Sequence, residues 1–268
     1  MSRIVRVASV QFCSAASKAE NLDKAKRFLR KGAELGAELV CLPEWLPQIA
    51  DPANFPRIAE PLDGPFVRGL REAARENGIY AIAGVFESSG GDRAYNTAIL
   101  IGPDGSILEE YRKAHLADIF GYRESDGIMP GEKPGMIHEA DFGTLGAIIC
   151  YDLRFPELPR ALALRGAEIL FVPAAWFGGP GKEAQWEVLL RARAIENGMF
   201  AVGSCQAGEG FVGGTMIVDP QGVVISRAPI GEGIICADLD LEKVEAIRGS
   251  IPWRSHRRPE LYSALLER

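Results

Sequence analysis

Gly36-Ala-Glu-Leu-Val-Cys-Leu-Pro-Glu-Trp45 is matched further along the chain by Gly166-Ala-Glu-Ile-Leu-Phe-Val-Pro-Ala-Ala-Trp176, and this pair of stretches decides how the rest is read. Two more pairs follow in the same order. Glu76-Asn-Gly-Ile-Tyr-Ala-Ile-Ala-Gly84 is matched by Glu196-Asn-Gly-Met-Phe-Ala-Val-Gly203. Thr97-Ala-Ile-Leu-Ile-Gly-Pro-Asp-Gly105 is matched by Thr215-Met-Ile-Val-Asp-Pro-Gln-Gly222. Matches kept in one order mark an internal repeat, with halves at about residues 4–113 and 144–239. Each half spells the same series. A helical stretch (Ala19–Leu35, or Pro156–Arg165) runs into a continuous apolar strand (Glu38–Leu42, or Glu168–Val172). A second helix (Pro65–Asn77, or Lys182–Asn197) is stopped by Asn-Gly. Another apolar strand follows, then a hairpin turning at Pro-Asp-Gly or Pro-Gln-Gly. Strands apolar on both faces belong in a buried sheet covered by helices. The expectation is an α/β protein, a four-layer α-β-β-α sandwich in which the halves pack sheet against sheet. No polar linker divides them, so one domain over 1–268 is expected, with a C-terminal tail at 249–268.

The bulk composition narrows the function classes. The chain has 268 residues, 47% hydrophobic and 25% charged, as in ordinary globular proteins. A net charge of −6 argues against a nucleic-acid or anionic-membrane partner. The longest apolar runs, Leu145–Tyr151 and Ile169–Phe177, fall far short of the ~20 residues of a membrane helix. The opening MSRIVRVASVQF reads as a strand and not as a secretory signal. Five cysteines, Cys13, Cys41, Cys150, Cys205 and Cys236, include no C-x-x-C pair, so neither a disulfide framework nor a zinc site is suggested. The three histidines, His115, His138 and His256, are too dispersed for a metal cluster. A reducing cytoplasm is the simplest setting.

The repeat also serves as an internal control. Where the first half has Glu44 after its strand and proline, the second has Ala174 and Ala175. The fold alone therefore does not ask for a carboxylate there, and Glu44 stands out among Leu42, Pro43, Trp45 and Leu46. Cys150 ends the run Thr144-Leu-Gly-Ala-Ile-Ile-Cys150, with a helix starting near Pro156. That places it exposed at the carboxyl edge of a sheet, where α/β proteins commonly hold ligands. Backbone N–H groups at such a turn can lower a thiol pKa and bind an oxyanion. A buried strand cysteine remains the plainer alternative. A cysteine nucleophile needs a base and an oxyanion partner. No histidine motif of a cysteine protease surrounds Cys150, and a G-x-S-x-G elbow is absent. Glu44 and the segment Tyr111-Arg-Lys113-Ala-His115, after the first hairpin, are what remain.

Leu42-Pro-Glu44, Tyr111-Arg-Lys-Ala-His-Leu116 and Cys150-Tyr-Asp-Leu-Arg-Phe-Pro-Glu157 together resemble the three signature regions of the nitrilase superfamily of carbon–nitrogen hydrolases. The likeness extends to Phe120–Asp126, to Trp186–Asn197 and to Arg257–Tyr262. It implies that Glu44 is the general base, Cys150 the nucleophile and Lys113 an oxyanion partner together with the Tyr151 N–H. It further implies that Glu124 is a second glutamate, positioning lysine and substrate. No metal or organic cofactor is implied. The form of the Cys150 motif looks most like the omega-amidase and deaminated-glutathione-amidase branches, whose substrates are short linear amides, often with a distant carboxylate. Arg154 is a candidate to receive that anion; an ion pair with Asp152 or Glu157 is the alternative. Trp176, Phe177 and the Gly178–Gly181 loop are candidates for the opposite pocket wall. A nitrile or N-carbamoyl hydrolase on the same scaffold, an acyltransferase, and a silent binding module are the competing functions. The resemblance also implies a homodimer through the helix after Pro156 and the helix Gln185–Asn197, with the basic tail Arg254–Arg258 against the partner.

Overall fold

A computed structural model describes residues 3–266. The first half runs β1 (Ile4–Gln11), α1 (Lys18–Glu34), β2 (Leu39–Cys41), a short α2 (Phe55–Ile58), α3 (Pro65–Asn77), β3 (Tyr80–Ser88), β4 (Ala94–Ile101) and β5 (Ile107–Arg112). A small hairpin, β6 (Asp118–Ile119) and β7 (Tyr122–Arg123), leads into β8 (Met136–Ala140) and β9 (Gly143–Ala147). The second half continues with α4 (Glu157–Leu164), β10 (Ile169–Ala174), α5 (Lys182–Asn197), β11 (Phe200–Cys205), β12 (Met216–Val218), β13 (Val224–Arg227) and β14 (Gly233–Asp240). Helices α6 (Glu242–Ser250), α7 (Trp253–His256) and α8 (Pro259–Leu266) close the chain.

Two six-stranded sheets result, in the orders β14-β1-β2-β3-β4-β5 and β13-β12-β11-β10-β9-β8. The repeat is visible in the register: Leu39 pairs with Tyr80, and its counterpart Ile169 pairs with Phe200, both in parallel. Both second helices end as their Asn-Gly pairs predict, with Gly78 and Gly198 in the left-handed conformation at φ 62° and 54°. The sheets do not coincide with the sequence halves. Strand β14 returns from the far end of the chain to pair antiparallel with β1 along its whole length, from Ile4–Asp240 to Gln11–Gly233. Strand β8 takes the same place beside β9 in the other sheet.

Alternation along β1 shows why its run is apolar on both faces. Val5 and Val7 pack into the core between the sheets, while Ala8 and Val10 pack under α1 and α3. Helices α4 and α5 cover the other sheet, giving the α-β-β-α sandwich expected from the sequence. Polar cross-ties fix one sheet on the other: Ser9 Oγ donates to Gly203 O at 3.1 Å, and Ser204 Oγ to Val10 O at 2.7 Å. The tail folds back on its own chain, with the Arg254 guanidinium donating to Ala163 O and Arg160 lying over the Trp253 ring.

One glycine decides how closely β3 approaches the turn after β2. Gly84 N donates to Pro43 O at 3.1 Å and its carbonyl accepts from Leu46 N at 3.0 Å. A Cβ at Gly84 would sit 2.5 Å from Glu44 Cα, with backbone on that side that cannot swing away. Gly84→Ala should therefore lower stability by about 1–3 kcal/mol in urea unfolding. Gly249→Ala meets nothing within 4 Å and should be neutral or slightly stabilising.

Candidate active site

Four chain segments deliver charged or nucleophilic groups to one point. Glu44 leaves the end of β2, and Lys113 follows β5 with its backbone held by Asn96 O and Gly131 N at 2.8 Å each. Glu124 opens a 3-10 turn after β7, and Cys150 opens another after β9. All four are buried, the first three at 0–1% exposure and Cys150 at 7%. Lys113 Nζ donates to Glu44 Oε1 at 2.9 Å and to Glu124 Oε2 and Oε1 at 2.9 and 3.1 Å. Asn96 Nδ2 bridges the same two carboxylates at 2.6 and 2.9 Å. Each carboxylate's other side is met by the backbone. Ala175 N donates to Glu44 Oε2 at 2.6 Å, and Ala117 N to Glu124 Oε2 at 2.8 Å. Gln206 Nε2 holds the Glu44 carbonyl at 2.8 Å. Ala175 and Gln206 come from the second sheet's end, so the sandwich itself aims Glu44.

These surroundings set the charge states. Burial lowers the Lys113 pKa, but the Glu124 and Glu44 charges outweigh that and hold it well above the usual value. Burial, and then the Glu44 charge, raise Glu124 against the pull of Lys113. Burial, and then the Glu44 charge, push the Cys150 thiol well up, with Lys113 opposing. This corrects the expectation of an exposed cysteine with a lowered pKa. Cys150 is at the sheet's carboxyl edge, but the pocket around it is walled by Trp45, Tyr122, Trp176 and Phe177. A protonated thiol needs a base, and Glu44 is the group beside it. The backbone at Cys150 is also strained, at φ 45° for a residue with a side chain.

The pocket brings together Glu44, Lys113, Glu124, Cys150, Tyr151, Arg154, Trp176 and Phe177, the site residues named from the sequence apart from one loop. Arg154 forms no pair with Asp152 or Glu157. Its guanidinium donates to Gln185 Oε1 at 2.9 Å and lies over the Trp176 ring at 4.7 Å. The Gly178–Gly181 loop does not line the pocket as expected, because Gly178 N is drawn to Gly210 O at 2.8 Å. Lys182, which opens α5 directly after the loop, does line it. Lys182, Tyr122 and Asn96 were not foreseen. Asn96 had a signal: aligned on Thr97 and Thr215, it falls where the second half has Gly214, the same contrast that singled out Glu44. Among the described residues, Tyr122 Oη and Trp176 Nε1 are buried without a hydrogen-bond partner.

This fold, with a buried cysteine beside a glutamate and a lysine, defines a hydrolase class. Over residues 6–249 the chain matches the carbon-nitrogen hydrolase family, and it belongs to that family, in the nitrilase superfamily. It is 38% identical over 280 residues to the deaminated glutathione amidase of Bos taurus, covering 98% of this chain and 85% of that one. It is 37% identical over 268 residues to the omega-amidase NIT2 of Xenopus tropicalis, covering 96% of each. Among solved structures, the NitFhit protein of C. elegans superposes with a TM-score of 0.90 at 33% identity, over 97% of this chain and 66% of that one. A glutamate-to-glutamine mutant of an amidase from Nesterenkonia sp. AN1 superposes at 0.85 with 28% identity, over 98% and 97%. That mutant shows covalent addition of the acetamide moiety of fluoroacetamide at its active-site cysteine.

The charge balance of the cluster is testable. Lys113→Met leaves Glu44 and Glu124 facing each other without their cation, which should cost about 3–5 kcal/mol of stability at neutral pH. A buried carboxyl with a folded-state pKa above its unfolded value binds its proton more tightly when folded, so its contribution to stability falls as pH rises. The deficit relative to wild type should therefore shrink toward about pH 4 and grow through neutrality, in urea titrations across that range.

Proposed function

We propose that the enzyme hydrolyses the carbon–nitrogen bond of a small linear amide through a thioester on Cys150. The observation that carries this reading is the Cys150 thiol beside Glu44, whose carboxylate Lys113 also holds at 2.9 Å. Glu44 takes the thiol proton as the sulfur attacks the amide carbonyl carbon. Lys113, kept charged by its two carboxylates, and the Tyr151 N–H stabilise the oxyanion; one such donor is typically worth about 3–4 kcal/mol of barrier. When the C–N bond breaks, Glu44 returns the proton to the leaving nitrogen, which departs as ammonia. Water then loses a proton to Glu44 as it attacks the thioester. The C–S bond breaks, the acid leaves, and Cys150 regains its proton. Glu124 keeps Lys113 in place. The cysteine adduct in the Nesterenkonia amidase supports the covalent step.

The pocket also carries a second charge feature. Arg154 and Lys182 both line it, and neither has a carboxylate partner among the described residues. Burial, and then the Arg154 charge, lower the Lys182 pKa, as expected for two cations sharing one mouth. We read this as the seat of a carboxylate at the substrate's far end, which supports omega-amidase-like activity. The same reading includes a cytoplasmic setting and a homodimer. Leu164, on α4, and Val188 and Ile195, on α5, are exposed large apolar side chains on the helices that would form its contact.

Glu44→Gln keeps the shape but accepts no proton, so ammonia release should fall by about 10²–10⁴-fold, and Cys150→Ala should abolish it. Arg154→Ala should raise KM for an amide with a distal carboxylate and leave a neutral amide of equal length unaffected. Equal effects on both amides would remove the anion assignment. Light scattering should give twice the 29.1 kDa of one chain.

A further inference from the structure

Four donors converge on the buried carboxylate of Asp152, which lies two residues after the nucleophile. Its Oδ2 accepts from Tyr111 Oη at 2.8 Å and from Ile149 N at 3.0 Å. Its Oδ1 accepts from His115 N at 3.0 Å and lies 2.9 Å from His115 Nδ1, which therefore carries the ring hydrogen. Tyr111 Oη accepts in turn from Ala114 N at 3.1 Å. The His115 ring is stacked on Phe155 at 3.6 Å and 9°, in the same turn as Cys150. Burial, and then the Asp152 charge, push the Tyr111 phenol pKa up, so it stays a donor. None of Asp152, Tyr111 or His115 lines the pocket.

The partners fall into two groups. Ile149 immediately precedes Cys150, and the Asp152 N–H donates back to Ile149 O at 2.9 Å. The strained φ of 45° at Cys150 is thus enclosed by bonds to one residue. Tyr111, Ala114 and His115 bracket Lys113 on the other segment. These two segments come from different sheets, and a strained backbone persists only where its surroundings over-determine it. Resting on the reading of Cys150 and Lys113 given above, we propose that Asp152 is a positioning residue that locks the nucleophile turn to the lysine segment and so fixes the sulfur relative to the oxyanion partner. An amide in its place keeps the shape but turns one acceptor oxygen into a donor. Whichever way the amide lies, an N–H of Ile149 or His115 then faces an NH2 group.

The test is Asp152→Asn, with Tyr111→Phe as a milder variant and Cys150→Ala alongside. Ammonia release from a small amide and the rate of Cys150 alkylation by iodoacetamide are read for each folded protein. Displacement of a reacting group by about 1 Å can cost ~10²-fold. Asp152→Asn should therefore lose roughly 10–100-fold in kcat, with KM nearly unchanged and alkylation slowed in step. Tyr111→Phe should show the same pattern at smaller size. A wild-type kcat in Asp152→Asn, or a raised KM with kcat intact, overturns the proposal. Should Asp152→Asn fail to fold, wild-type kcat and alkylation in Tyr111→Phe overturn it. An active Cys150→Ala would sink the nucleophile reading itself. A dead Cys150→Ala beside an unimpaired Asp152→Asn sinks only the role of Asp152.

Discussion

The structure turns on one buried ammonium held between two buried carboxylates. Removing a charge from water costs several kcal/mol, and the cost is recovered only with close geometry and full hydrogen bonding. Lys113 meets that condition through three contacts of 2.9–3.1 Å to Glu44 and Glu124. Asn96, Ala175 N and Ala117 N complete the carboxylates' hydrogen bonding. Burial, and then the Glu44 charge, keep the Cys150 thiol protonated against the pull of Lys113, and Glu44 is the neighbour able to take the proton. The electrostatics that stabilise the cluster are those the proposed reaction uses.

Everything else in the fold serves to bring four segments to that point. Glu44 and Lys113 leave the first sheet, Cys150 leaves the second, and Ala175 and Gln206 reach Glu44 from the second. The sheets must therefore hold their relative position closely. Ser9 and Ser204 tie backbone across the interface, and β14 crosses from the end of the second half to complete the first sheet. The halves are repeats in sequence but cannot be separated in space.

Much of this was legible in the sequence. The repeat fixed the order of elements and both Asn-Gly helix ends, because local periodicity and turn chemistry are short-range signals. Glu44 was legible because Ala174 stood at its counterpart. The course of β14 was not, since which strand takes a sheet edge is a long-range choice that the run Gly233–Asp240 does not carry. The functional reading of Cys150 expected exposure from its strand-end position, whereas the aromatic wall that covers it comes from three separate segments. Asn96 was passed over as a strand residue, yet its partner Glu44 lies 52 positions away. Lys182 was hidden in a similar way: nothing near it in the chain indicates that it shares a pocket with Arg154.

In the proposed reaction Cys150 carries the acyl group during turnover. Mass spectrometry of enzyme quenched while hydrolysing a slow amide tests it directly, with peptides covering all five cysteines. The mass of the substrate's acyl group is expected on the peptide bearing Cys150 and on no other, disappearing as substrate is exhausted. An acyl group on Cys13, Cys41, Cys205 or Cys236, or steady ammonia release with Cys150 unmodified throughout, would contradict it.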